Sequence, residues 1–236
     1  MERIHPAVVA CRAESGRFPS WRRILAQPLR KASMNNQQSR HRIAIIVGSI
    51  REGSLNRKLA QAICGSVPRS LDCQMLTIHD LPLYDPDLDR DPPAPYTRFR
   101  QELAACDGVL FVTPEYNRGV PSALKNAIDV GSRPYGRSAW AKKPAAVITA
   151  SPGAIGGFGC NHQLRQSCVF LDMPVMQQPE AYIGGISDEK FGPDGAITDE
   201  SLANLIGTIG EAFAAWVQLI HAGRAALQPD PSGSGA

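Results

Sequence analysis

The chain has 236 residues, 43% apolar and 20% charged, the proportions of one globular domain with a sizeable core. No apolar run approaches the roughly 20 residues that span a bilayer, so no membrane partner is expected. The formal charge of +3 sits at the start: residues 1–33 hold seven Arg/Lys against two acids, while residues 34–236 hold 18 basic and 20 acidic side chains, so the body lacks the basic stripe of a nucleic-acid binder.

Residues 1–33 are Arg-rich, acid-poor and without apolar periodicity, a composition shared with transit peptides but lacking the apolar core of a secretory signal. The reading preferred here is an upstream extension, with Met34 as the natural start. Residues 1–40 are therefore set aside as a disordered extension, 41–223 taken as the domain, and the Pro/Ser/Gly-rich 224–236 as a disordered tail.

Ile43-Ala44-Ile45-Ile46-Val47 is a continuous apolar run, the mark of a strand buried on both faces. It breaks at Gly48 into a polar loop, and a helix follows with Leu55, Leu59, Ala62 and Ile63 on one face. Residues 73–78 read as a second strand, ending in a turn around Asp80, Pro82 and Asp85. Residues 85–95, rich in Asp and Pro, form a surface loop, and Tyr96, Phe99 and Leu103 give the next helix its apolar face. Residues 108–113 are a third strand. Pro114-Glu115-Tyr116-Asn117-Arg118-Gly119-Val120-Pro121 follow, with Pro121 suited to the first turn of a helix carrying Leu124, Ala127 and Ile128. A fourth strand over 145–150 feeds the glycine-rich loop 151–157, then a helix over 158–171. Residues 173–176 start a fifth strand, and Gly184-Gly185 falls in an irregular segment. Thr198, with Asp199 and Glu200, caps a last helix whose stripe is Leu202, Leu205, Ile206, Ile209, Phe213, Trp216 and Ile220.

Five strand–helix alternations predict an α/β, doubly wound parallel sheet in three α/β/α layers; of the known doubly wound arrangements, the flavodoxin-like strand order 2-1-3-4-5 is the one adopted here. Ligands bind such sheets at the carboxyl ends of the strands, where strand order reverses. The three loops of unusual composition follow strands one, three and four, which are neighbours in this order. The first is built for an anion, most simply phosphate: a helix start offers free N–H groups and its positive dipole end, Arg51 a charged fork, and Ser49, Ser54 and Asn56 neutral donors.

Cys11, Cys64, Cys73, Cys106, Cys160 and Cys168 show no C-x-x-C or Cys/His metal spacing and read as thiols in a reducing, cytoplasmic setting. No metal is expected. The lone His79 and His162 receive no catalytic role, Lys125 reads as a solvated helix residue, and Asn126 as a loop brace.

Gly48-Ser49-Ile50-Arg51-Glu52-Gly53-Ser54-Leu55-Asn56, Thr113-Pro114-Glu115-Tyr116-Asn117 and Leu124-Lys125-Asn126-Ala127-Ile128-Asp129 together resemble the NADPH-dependent FMN reductase family, within it the bacterial chromate, quinone and azo-dye reductases. Gly156-Gly157 and Phe170-Leu171-Asp172 extend the likeness, which runs over about residues 42–222. The resemblance implies that Ser49, Arg51, Ser54, Leu55 and Asn56 hold the FMN phosphate. It implies that Pro114, Glu115, Tyr116 and Asn117 lie along the isoalloxazine ring, and that Ser151 and Gly153 approach from the third loop. No catalytic side chain is implied, because the flavin carries the hydride chemistry. NADPH, or NADH, is the co-substrate of a ping-pong cycle whose small-molecule acceptor is a quinone, azo dye, chromate or free flavin. Arg118, Arg133 and Arg137 compete for the NADPH 2′-phosphate. Relatives assemble as homodimers or homotetramers. Two other readings stand beside this one: a flavodoxin-type electron carrier, which would be more acidic, and a phosphate-binding regulator without flavin. A G-x-x-x-x-G-K-[ST] loop is absent, which speaks against an NTPase.

Overall fold

A computed structural model describes residues 40–227. Strand β1 (His41–Val47) leads to helix α1 (Leu55–Ser66), β2 (Leu71–Met75), α2 (Ala94–Ala104), β3 (Gly108–Thr113), α3 (Ser122–Gly131), β4 (Ala145–Ser151), α4 (Phe158–Phe170), β5 (Ala181–Gly184) and the 28-residue α5 (Glu200–Leu227). All pairings are parallel and the order is β2-β1-β3-β4-β5, as expected for a flavodoxin-like sheet.

The apolar run of β1 is explained by two cores. Ala44 and Ile46 face one layer with Phe99 of α2, Phe111 of β3, Leu124 of α3 and Leu164 of α4. Ile43, Ile45 and Val47 face the other, with Leu59 and Ile63 of α1 and Ile206, Ile209 and Phe213 of α5. Side chains alternate along a strand, so a strand covered on both sides needs apolar residues at every position. Trp140 anchors the first layer. It is fully buried, packs on Phe99 and Phe111 at ring centroid distances of 5.9 and 5.7 Å, and donates from Nε1 to the Ile128 carbonyl at 3.0 Å.

Several expectations need correction. The fifth strand is Ala181–Gly184, not 173–176. Residues 174–176 run beside the start of β4, where Ala145 N donates to the Pro174 carbonyl (3.0 Å) and Met176 N to the Ala145 carbonyl (2.7 Å). Pro174 has no N–H to extend that contact, and the chain joins the ladder only at Ala181, opposite Ile148. β2 begins at Leu71 and ends at Met75, because the ladder with β1 closes with one last bond from Leu76 N to the Ile45 carbonyl. Ala60, not Ala62, completes the buried face of α1. Asp199, not Thr198, caps α5: its Oδ1 accepts from Leu202 N at 2.8 Å, while Thr198 Oγ1 donates to the Glu189 carbonyl. The hydrogen-bonded ion pair to Lys190 (2.5 Å), and after it the cap bond from Leu202 N, hold the Asp199 carboxyl below its usual range. Residues 224–227, assigned to the tail, continue α5. The extension over 1–39 and residues 228–236 lie outside the described residues.

Among the described residues one helix, α5, is long and apolar enough to cross a membrane. Here it buries Leu202, Ile206, Ile209, Phe213 and Val217 against the sheet.

Candidate active site

Three loops leave the carboxyl edge of the sheet and touch one another. Gly48, at the end of β1, lies so close to β3 that a Cβ there would sit 2.0 Å from Thr113 Oγ1. That approach joins the first loop to the second, and only glycine permits it. Asn56 Nδ2 reaches across to donate to the Ala150 carbonyl of β4 at 3.1 Å, fixing the start of α1 over the third loop. Glu115 joins the second loop to the start of α4, which follows the third: its Oε2 accepts from Cys160 N at 2.7 Å.

The first loop is a helix N-terminus with its donors open. Ser54 is the cap of α1, accepting from Arg57 N at its carbonyl (3.0 Å) and at its hydroxyl (3.2 Å). Leu55 and Asn56 occupy the first two helical positions, whose N–H groups have no acceptor inside the helix. Ser49, Ser54 and Asn56 are buried polar residues, and Asn56 Oδ1 is buried without a partner. Arg51 is exposed and bonded by one nitrogen to the Gly53 carbonyl at 3.0 Å, which leaves the rest of its donor fork free.

The second loop is a tight two-residue turn. Tyr116 N donates to the Gly119 carbonyl (3.1 Å) and Gly119 N to the Tyr116 carbonyl (2.9 Å). Asn117 (φ 50°) and Arg118 (φ 65°) therefore both take left-handed backbone, the geometry of a type I′ turn. Asn tolerates this conformation well and Arg poorly, so Asn117 has a conformational role in addition to any contact. The Arg118 guanidinium stays exposed, 3.6 Å from Glu115 Oε1. Glu115 is nearly buried. Its bond to Cys160, the third residue of α4, supplies a cap that Gly157 cannot give from its own side chain. Gln163, one turn on, accepts from Val120 N at 2.7 Å.

The third loop begins at Ser151, whose hydroxyl accepts from Gly153 N at 3.1 Å. A Cβ on Gly153 would meet only Ser151 Oγ, at 3.6 Å, so its backbone presents an open surface. Gly156 (φ 65°) is pressed onto the Tyr182 backbone, 2.6 Å from a notional Cβ. Ile50, Tyr116, Ile155 and Phe158 stand about half exposed around the loops. The edge thus offers hydrogen-bond donors at one end and an apolar rim for a flat group along the rest.

All eleven residues singled out in the sequence lie on this edge. Sequence reasoning missed Gln163 as a brace, and missed Arg57. The Arg57 Nε is buried and unpaired, and the side chain lines a cavity of about 250 Å³ with Ser49, Ile50 and His79. Its position in the first turn of α1, directly after the loop motif, was the available signal. Asn126 is the expected brace: it accepts from Tyr84 N (2.8 Å) and donates to the Pro82 carbonyl (2.8 Å). Lys125 pairs with Asp129 at 2.7 Å. Arg133 lies over the Tyr84 ring, beside a cleft of about 820 Å³ between α3 and α4 to which none of the three loops contributes.

Comparison with known proteins places the chain in a family. The model of the NADPH-dependent FMN reductase family matches residues 41–188. A quinone reductase of Pseudomonas putida is 54% identical over 181 residues, covering 76% of this chain and 96% of that protein. A 2-hydroxy-1,4-benzoquinone reductase of a Burkholderia species is 42% identical over 177 residues, covering 75% and 96%. Among solved structures, the flavoenzyme NAD(P)H:(acceptor) oxidoreductase FerB of Paracoccus denitrificans is 39% identical, with a TM-score of 0.73 over 76% of this chain and 98% of that one. The chain therefore belongs to the NADPH-dependent FMN reductase family, and is an oxidoreductase whose cofactors are FMN and a reduced nicotinamide nucleotide.

Proposed function

We propose that this protein is an NAD(P)H-dependent quinone reductase with FMN seated across the three loops. The observation that carries the reading is the pairing of open donors with an orphaned acceptor: the α1 N-terminus and Asn56 Oδ1 sit together at one end of an edge that also carries the half-exposed apolar side chains of Ile50, Tyr116, Ile155 and Phe158. A phosphate with a hydroxylated chain and a planar ring has that same sequence of chemistries. The family relatives named as quinone reductases support the choice of acceptor.

In this reading Ser49, Arg51, Ser54 and the amides of Leu55 and Asn56 hold the phosphate, and Asn56 Oδ1 accepts from a hydroxyl of the chain. Backbone groups of Pro114, Glu115, Tyr116 and Asn117 would orient the ring, together with Ser151 and Gly153 of the third loop. FMN held there would supply the hydride and electron-transfer chemistry between the nicotinamide and the acceptor. No side chain of the site is required as acid or base. The exposed rim leaves room for nucleotide and quinone to use one position in turn, a ping-pong cycle. Arg118, exposed beside the ring loop, is our choice for the 2′-phosphate of NADPH.

The apolar side chains Tyr135 and Phe170, beside the α3–α4 cleft, and Val169, in the adjoining groove against α5, are at least three-quarters exposed. We take this face to be covered in a homo-oligomer. The five described cysteines are free thiols, in keeping with a reducing cytoplasm. Purified protein should be yellow, bleach under anaerobic NADPH, and oxidise NADPH in steady state with 1,4-benzoquinone. Colourless protein that takes up no added FMN would sink the flavin site, and yellow protein without quinone turnover would sink the choice of acceptor.

A further inference from the structure

At the other end of the sheet three ligand-type side chains from distant parts of the chain meet. His41 opens β1, Asp107 precedes β3, and His221 lies in the last turns of α5. One ligand atom from each lies within 4.8 Å of the other two, and all three residues are partly accessible. The cluster is about 20 Å from the three loops, the length of a seven-residue strand.

We propose that His41, Asp107 and His221 form a binding site for a divalent transition cation of the zinc type. Two imidazoles and a carboxylate are the donor set such borderline ions prefer, and three protein ligands leave a position for water. The surrounding bonds already orient the donors. Asp107 is clamped to β1 twice: its N–H donates to the Arg42 carbonyl (2.7 Å), and its Oδ2 accepts from Arg42 N (2.7 Å). His221 Nε2 lies 3.0 Å from the Asp107 carbonyl. A carbonyl only accepts, so Nε2 carries the proton and Nδ1 the lone pair, the arrangement by which metal-ligating histidines are usually held. The His41 and His221 rings stack at 4.8 Å and 19°. Ligand atoms around a tetrahedral ion stand about 3.3 Å apart, so binding needs only small side-chain rotations. Besides Arg42, which follows His41 and pairs with Asp107 through its backbone, two cations adjoin this corner. Lys143 is drawn off by the carbonyls of Ala104 and Cys106, and Arg224 follows His221 by one turn; together they limit affinity to a moderate value. An ion here would tie the end of α5 to β1 and β3 without touching the flavin edge.

The test is equilibrium dialysis of the purified FMN-loaded protein against Zn²⁺, with bound metal quantified. About one equivalent per chain is expected, weakened at least tenfold by His221→Gln, His41→Ala or the isosteric Asp107→Asn, and unchanged by Cys64→Ser. Zn²⁺ should raise the melting temperature of the unaltered protein but not of Asp107→Asn. FMN content and quinone turnover of the variants should match the parent, which verifies folding independently of the metal. No saturable Zn²⁺ binding, or binding that persists in the His41→Ala/His221→Gln double variant, would overturn the proposal.

Discussion

Asn56 donates from Nδ2 to the Ala150 carbonyl while its Oδ1 stays buried and unpaired. Asn56→Ala removes both groups and leaves a carbonyl of β4 without its donor, so it should cost about 1–3 kcal/mol in denaturant unfolding as well as FMN affinity. Arg51 separates the two effects. It is exposed and bonded only to the Gly53 carbonyl of its own loop, so Arg51→Ala should weaken FMN roughly tenfold or more, measured by fluorescence titration, with an unchanged melting curve. Unchanged FMN affinity would show that the loop is not the phosphate anchor. The thiols differ in the same residue-by-residue way. Burial pushes Cys160 and Cys168 up to about 12, whereas a hydrogen bond from the Cys73 thiol holds Cys64 below its usual value. Iodoacetamide on native protein should therefore label Cys64 well before Cys160 or Cys168 in peptide maps, because the thiolate is the reacting form.

At the scale of elements, α4 is the strut of the site. Its third residue receives Glu115 and its Gln163 receives Val120 N, so two loop positions are held by one helix. Glu115→Ala should cost about 1 kcal/mol, the value of a lost helix cap, and Glu115→Gln should recover most of it while NADPH turnover persists. Loss of turnover in Glu115→Gln with normal FMN content would instead make the carboxylate catalytic. Gly156 is a harder constraint: its backbone is left-handed and a Cβ would meet the Tyr182 backbone at 2.6 Å. Gly156→Ala should destabilise by more than about 2 kcal/mol, since backbone on both sides resists movement. Elements with a dense apolar pattern (β1, β3, β4) were legible in the sequence to within two residues. β5 was not, because Ala181-Tyr182-Ile183-Gly184 is short and ends in glycine, while 173–176 looked more strand-like. Its place depends on where β4 has backbone groups to spare, which is a tertiary fact.

For the whole molecule, the open question at the surface is the face around Tyr135, Val169 and Phe170. If it is an oligomer contact, Phe170→Asp should shift the mass in light scattering toward the monomer and leave FMN binding intact, because none of the three loops lines that cleft. An unchanged mass would place the interface elsewhere. The sequence by itself determined the fold class and the three loops of unusual composition that form the candidate site. Apolar runs buried on both faces, alternating with amphipathic helices, admit few arrangements, and the unusual loops fall on neighbouring strands in the one chosen. It also identified Asn126 as a brace. Tertiary structure alone decided what the site residues do for one another. Glu115 caps a helix 45 positions away, Asn56 reaches a carbonyl 94 positions away, and His41, Asp107 and His221 come together from the two ends and the middle of the domain. Such contacts leave no periodic trace in the sequence, because each is a single polar pair whose partners are chosen by the register of strands and the pitch of helices between them.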